Sequence, residues 1–250
     1  SIRIDEMFDG RKFIYDHSVR FQKLSDAQKA NSLEGHTFNQ DTSGKFTRMP
    51  QLEAYANLVW KNRKSIHTVC ETGFNGGHSA VLWATLIPNV EIIAFDMCIG
   101  TRCDVGKSYF NKMFPDASLT IMRGDSTKSV PDYAKSHSEK CDFISVDGGH
   151  FNDVPRLDIE NMVKLARGSA IIVIDDVDKD SPFEYLKTVG TAWFNAVAKN
   201  LVTSEKCEEC YAKDTARRTT CTFCIGHVVR SIQTEKVQKN EKVFKIHVLT

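Results

Sequence analysis

The sequence lacks a long apolar run, an excess of charge of either sign and any Asn-x-Ser/Thr sequon. A membrane-spanning helix needs about 20 consecutive apolar residues, so none is expected in this chain. With 33 basic and 32 acidic residues the net charge is +1, and no global field draws the chain to nucleic acid or to an anionic membrane. The missing sequon leans away from a secreted glycoprotein. Repeats and low-complexity tracts are absent as well. The opening Ser1-Ile2-Arg3-Ile4-Asp5-Glu6 does not read as a signal peptide. It also lacks an initiator Met, so a processed or trimmed start is expected, and an upstream segment stays open.

What is present describes an ordinary globular chain. At 250 residues, 41% apolar and 26% charged, it can bury one sizeable core. Residues 1–48 are polar and weakly periodic and read as an N-terminal cap or lid. Residues 49–250 then form the main domain. Pro50 opens a helix over 51–61 with Leu52, Tyr55, Ala56 and Val59 on one face. Strands are expected at 66–71, 90–96, 118–123, 142–147 and 170–175, and helices at 78–87, 105–114, 129–139 and 153–167. In the last of these helices Val154, Leu157, Met162 and Leu165 share an arc, with Gly168 as the stop. A further helix over 182–199 and strands at 222–230 and 242–249 complete the pattern. The strands are nearly continuous apolar runs, as expected when helices cover both sheet faces. The fold class is therefore α/β: a doubly wound, mostly parallel seven-stranded sheet.

In such a sheet, ligands bind beyond the carboxyl ends of the strands. Here those ends carry Glu71, Asp96, Gly124-Asp125-Ser126, Asp147-Gly148-Gly149-His150 and Asp175-Asp176. After Glu71 the chain runs through Gly73, Gly76 and Gly77 to Ser79, a glycine turn that lets backbone approach a ligand. Its spacing is not G-x-G-x-x-G, which argues against NAD or FAD. Asp96, at the second strand end, stands where an acid meets a ribose diol; the plainer reading is a helix N-cap.

Glu71-x-Gly73-x-x-x-Gly77-x-Ser79, Phe95-Asp96-Met97, Gly124-Asp125-Ser126, Val146-Asp147-Gly148-Gly149-His150 and Ile174-Asp175-Asp176, in this order, resemble class I S-adenosylmethionine-dependent methyltransferases. The resemblance covers about residues 50–177 and is closest to the small-molecule O-methyltransferases of the caffeoyl-CoA, catechol and macrolide-sugar type. It implies that Glu71, Gly73, Gly77 and Ser79 hold the methionine part of S-adenosylmethionine. Asp96 would take the ribose hydroxyls, Met97 would lie against the adenine, and Asp125 and Ser126 would sit at the adenine edge.

Convergence of Asp147, Asp175 and Asp176 would raise a pKa or gather a cation, and oxygen-only ligands suit Mg²⁺. The plainer reading leaves Asp147 to the cofactor or an N-cap and the other two to the next loop. His150 has the pKa to take a proton near neutrality. The resemblance gives it the role of general base, with Asp147 beside it at the reaction centre; the alternative is a histidine that shapes the loop. His78 is expected at a helix start near the cofactor.

Eight cysteines are many for a cytosolic domain. Cys207-x-x-Cys210 and Cys221-x-x-Cys224 suit either a tetrahedral Zn²⁺ site or a pair of disulfides within an insertion over 205–225. In an oxidising compartment Cys98 and Cys103 would form another disulfide. The chain is placed in the cytoplasm unless the cysteines are oxidised, when the secretory-pathway lumen is expected. The expectation is thus an enzyme that methylates a small-molecule hydroxyl, with no nucleic-acid partner. A metal-independent N- or protein methyltransferase, or a non-catalytic binding protein using the cysteine module, is the rival. The acceptor and the oligomeric state have no readable code.

Overall fold

The computed structural model describes residues 8–27, 49–210 and 221–229. Helices α1 (Gly10–Asp16) and α2 (Ser18–Ala27) precede α3 (Met49–Asn62). Then come β1 (Thr68–Thr72), α4 (His78–Leu86), β2 (Glu91–Asp96), α5 (Arg102–Met113), β3 (Ser118–Arg123) and α6 (Ser126–Ala134). They are followed by β4 (Cys141–Val146), α7 (Val154–Met162), β5 (Ala166–Ile174), α8 (Glu184–Ala198), β6 (Val202–Cys210) and β7 (Cys221–Val228). The strands make one seven-stranded sheet in the order β3-β2-β1-β4-β5-β7-β6. All neighbours from β3 to β5 are parallel, and β7 is antiparallel to both β5 and β6. The order reverses at β1/β4, and that crevice is the topological switch point.

The period of two along each strand divides the core into two layers. Val69, Ile92, Ala94, Phe143, Ile171, Val173 and Phe223 face α1–α5, together with Leu52, Val59, Trp83 and Phe110. Cys70, Ile93, Phe95, Ile144, Val146, Ile172 and Ile174 face α6–α8, together with Val130, Ile159, Met162 and Trp193. Both faces are covered, which is why the central strands are apolar without alternation.

Several boundaries depart from the sequence reading. The helix expected to 167 ends at Met162, passes through a short 3-10 turn and enters β5 at Ala166. Gly168 therefore does not stop a helix; it lies inside β5 at φ 57°, where the pairing with β4 shifts register. The buried residues of α7 are Pro155, Asp158, Ile159, Asn161 and Met162; of the expected arc, Met162 and Leu165 are buried while Val154 and Leu157 are only partly so. The segment read as a cysteine insertion is mostly the β6–β7 hairpin, whose strands pair Cys207 with Cys224 and Cys210 with Cys221. Polar residues hid β6, an edge strand with one neighbour. The strand expected at 242–249 lies outside the described residues. Within the expected cap, Ile14, Phe21 and Leu24 are fully buried in the same layer as Leu52 and Trp83.

Candidate active site

The glycine turn grows out of β1 because backbone there has no room for side chains. A Cβ on Gly73, at φ 87°, would lie 1.8 Å from the Asp147 carbonyl oxygen. Gly77, at φ 86°, caps α4, and a Cβ there would meet the Phe74 ring at 2.7 Å. Such a cradle fits a ligand held by main-chain contact.

Glu71 lies beneath this turn, 1% exposed. The Trp83 indole donates to its Oε2 at 3.1 Å, while Oε1 has no hydrogen-bond partner among the described residues. Burial pushes its pKa up to about 7, and the Ser79 and Trp83 side chains only soften that rise. A cationic donor arriving at the turn would relieve the buried charge. His78 and Ser79 open α4, and burial lowers the His78 pKa to about 4, so this imidazole is neutral near pH 7.

Asp96 does not cap α5, whose N-cap is Thr101. Instead its Oδ2 accepts from the Asn75 backbone N–H at 2.8 Å and its Oδ1 from that of Cys98 at 2.5 Å. It ties the glycine turn to the loop after β2, and each oxygen keeps a lone pair for a hydroxyl donor. Met97 beside it is 59% exposed. Asp125 caps α6 by accepting from the Thr127 N–H at 3.0 Å and hydroxyl at 2.7 Å. Those bonds hold its carboxyl below its ordinary pKa, and Ser126 starts the helix.

The far side of the site differs from the expected trio of aspartates. The groups brought within 4.8 Å of one another are Asp147, His150 and Asp176. The His150 Nε2 lies 3.9 Å from Asp147 Oδ1 and 3.6 Å from Asp176 Oδ2. Asp175 is not among these three; its Oδ1 accepts from the Asp176 N–H at 2.8 Å. Burial pulls the His150 pKa down, but the neighbouring carboxylates of Asp147, Asp176 and Asp175 outweigh it and hold it above the ordinary value. The donor set is thus two oxygens and an imidazole nitrogen, which suits Mn²⁺, Fe²⁺ or Zn²⁺ better than the Mg²⁺ expected from carboxylates alone.

Between these two sides lies a pocket of about 620 Å³, its open mouth included. It is lined by Gly73–Gly76, His78 and Ser79 at one end and by Ser145, Asp147 and Asp175 at the other. Gln51 and Tyr55 of α3 form its roof. The Gln51 amide donates to the Tyr55 hydroxyl at 3.3 Å, and the ring packs on Trp83 and Phe223 with centroids 5.9 and 5.3 Å away. Burial first, then Asp175, raises the phenol pKa well above its ordinary value, so it stays a proton donor. Sequence reasoning placed Tyr55 in an apolar stripe and passed over Gln51; a glutamine one turn before a tyrosine on a buried face was the available signal. It also passed over Asp158 of α7, fully buried, with a pKa raised by burial to about 6. The Ser126 and Thr72 hydroxyls lie near Asp158, though neither oxygen has a partner in normal hydrogen-bond geometry among the described residues.

The cysteine expectations resolve into bonds. Cys70 pairs with Cys141, Cys98 with Cys103, and Cys207 with Cys224. A four-thiolate zinc site needs Cys207, Cys210, Cys221 and Cys224 reduced together, so the Cys207–Cys224 bond corrects that reading to a cross-strand disulfide.

Residues 70–177 match a family described as methyltransferase domains. No curated protein matches the sequence significantly. Among solved structures, an O-methyltransferase from Bacillus cereus in complex with S-adenosylhomocysteine superposes with a TM-score of 0.65 at 15% identity, covering 90% of this chain and 100% of that one. The O-methyltransferase TomG from Streptomyces achromogenes, in complex with S-adenosylmethionine, gives 0.64 at 16% identity, covering 87% and 95%. An S-adenosylhomocysteine-bound methyltransferase from Podospora anserina gives 0.56 at 13%, covering 86% and 88%.

Proposed function

We propose that this chain, a class I S-adenosylmethionine-dependent methyltransferase by its matched domain and its sheet order, methylates a small-molecule hydroxyl. The observation that carries the reading is His150, set between Asp147 and Asp176 beside a pocket whose other end is the glycine turn. When bound, the cofactor supplies an activated methyl group on a sulfonium sulfur. Gly73, Gly77 and Ser79 would hold its methionine end, with Glu71 placing negative charge behind the turn. Asp96 would accept from the ribose hydroxyls, Met97 would pack on the adenine, and Asp125 and Ser126 would flank the adenine edge.

His150 Nε2 would take the acceptor's hydroxyl proton, leaving the oxygen as the nucleophile for the methyl group that the cofactor would supply. Asp147 and Asp176 stabilise the imidazolium that results, so the barrier falls through proximity and electrostatics. Tyr185 lies near-parallel to the His150 ring at 6.1 Å and neighbours Phe183 at 5.9 Å, and Phe151 follows His150 in the chain. These three are 38%, 48% and 65% exposed, an apolar wall open to an incoming acceptor. A second reading rests on the same three donors: Asp147, His150 and Asp176 would hold a divalent cation, which would supply Lewis-acid polarisation of the acceptor hydroxyl.

His150→Ala is expected to lower turnover by roughly 10²–10⁴-fold while leaving the affinity for S-adenosylhomocysteine within twofold. Calorimetry and steady-state rates check this; equal loss of both would make the histidine structural. Activity that survives a chelator favours the base reading, and activity restored by an added cation favours the second. The three disulfides support an oxidising compartment rather than the cytoplasm. Mass spectrometry of the native, alkylated protein tests it, because free thiols at these positions would refute it.

A further inference from the structure

The loop between β2 and α5 carries a feature that the transfer reaction does not use. Cys98 and Cys103, five residues apart, are bonded across it, directly against the acid that ends β2. The Cys98 N–H donates to Asp96 Oδ1 at 2.5 Å, and Cys103 Sγ lies 3.7 Å from the same oxygen. A disulfide sulfur has no proton, so that second approach is only a contact while the bond is closed.

The closed loop also holds an unfavourable backbone. Cys98 has φ 53°, a left-handed conformation that costs a residue with a Cβ roughly 1–2 kcal/mol, and Gly100 follows at φ 74°. The tie reaches the glycine turn by two further routes. Arg102 Nη1 donates to Asn75 Oδ1 at 3.3 Å, and Gly106 on α5 packs so closely that a Cβ would lie 2.4 Å from the Gly76 carbonyl oxygen.

We propose that the Cys98–Cys103 disulfide is a thiol–disulfide exchange site, opened by a dithiol reductant, whose state sets how tightly Asp96 holds the cofactor. This rests on the assignment of Asp96 to the cofactor ribose. A dithiol's thiolate attacks the Sγ of Cys98, a half-buried residue, whereas Cys103 is 1% exposed. The Cys98–Cys103 bond breaks and Cys103 leaves as a thiolate, which is then protonated. The reductant's second thiol displaces Cys98 and closes the reductant into its own disulfide. Two electrons and two protons pass from the dithiol to the cysteines, and nothing else is consumed.

Opening acts on Asp96 twice. Cys98 is released from its left-handed conformation, which loosens its N–H bond to Oδ1. Cys103 gains an S–H donor beside the same oxygen, in competition with the ribose hydroxyls. Of the other two disulfides, Cys70–Cys141 is fully buried between β1 and β4, and Cys207–Cys224 belongs to the β6–β7 hairpin.

The test is the affinity for S-adenosylhomocysteine, measured by calorimetry before and after treatment with dithiothreitol. Alkylation and mass spectrometry follow which bond opens. The oxidised protein is expected to bind at least about tenfold more tightly than the reduced one. Cys98→Ser/Cys103→Ser should bind weakly in both conditions, with a circular dichroism spectrum like that of the parent. Cys207→Ser/Cys224→Ser should keep the full response. A Cys98→Ser/Cys103→Ser protein that binds as tightly as the oxidised parent overturns the proposal, as does a reductant response that persists in it. Absence of binding by the oxidised parent instead overturns the cofactor reading beneath it.

Discussion

Glu71 is a carboxyl whose pKa rises on folding, from 4.5 to about 7, because the site beneath the turn excludes water. A raised acid favours folding below its unfolded pKa and loses that contribution as pH climbs through the folded value. The loss amounts to on the order of 3 kcal/mol between pH 4.5 and 7 in the absence of ligand. Glu71→Gln should therefore flatten the pH dependence of stability over that window, measured by denaturant unfolding at pH 5 and pH 8. Asp158, raised to about 6, leaves a smaller slope of the same sign. An unchanged profile in the Gln variant would show that Glu71 ionises freely in the fold. Tyr55 makes a separate expectation. Tyr55→Phe keeps the ring between Trp83 and Phe223 and deletes only the hydroxyl in the pocket roof. The melting temperature should hold, while turnover falls about tenfold, the equivalent of one hydrogen bond of about 1.4 kcal/mol. A fall in melting temperature with no change in turnover would assign the hydroxyl to packing.

Among the elements, the β6–β7 hairpin is the least sequence-like part of the fold. Its pairing shifts between Ser204 and Lys206, and Gly226 sits opposite that shift. A Cβ on Gly226 would lie 1.8 Å from the Thr203 carbonyl oxygen and 3.2 Å from the Trp193 ring. Gly226→Ala should destabilise by on the order of 3 kcal/mol, read by chemical denaturation, because neither neighbour can withdraw. A loss below 1 kcal/mol would mean that the hairpin is free to slide. The sequence showed β1, β2, β3 and β4 to within two residues, since β1, β2 and β4 are buried and largely apolar and β3, at the sheet edge, still carries Leu119, Ile121 and Met122. It missed β6, whose Thr203–Glu209 stretch is polar because one edge and much of its surface meet water. It misread Gly168 because a glycine after an amphipathic run signals a helix stop as readily as a bulge. At the site, acids at strand ends were legible because topology alone puts them on one edge. The exchange of Asp175 for His150 in the donor group was not, since it depends on which way adjacent side chains turn.

At the scale of the molecule, α1 and α2 are part of the core that the sheet needs. Ile14, Phe21 and Leu24 are buried, and the Tyr109 hydroxyl of α5 donates to the Arg20 carbonyl at 2.8 Å. At roughly 1.5–3 kcal/mol per buried side chain, the three together rival the whole stability of a typical domain. Deletion of residues 1–27 should abolish a cooperative thermal transition; a deletion protein that melts sharply would show that the two helices only decorate the surface. No helix among the described residues is long and apolar enough to cross a membrane. The sequence by itself determined the β/α alternation of a mostly parallel sheet and the row of acids along one edge, because these follow from periodicity and strand polarity, which are local. Only the tertiary structure decided which cysteines meet, that Asp96 binds backbone rather than capping a helix, that Tyr55 and Gln51 roof the pocket, and that His150 stands between Asp147 and Asp176. Those are contacts between segments far apart in the chain, and packing fixes them where no spacing can.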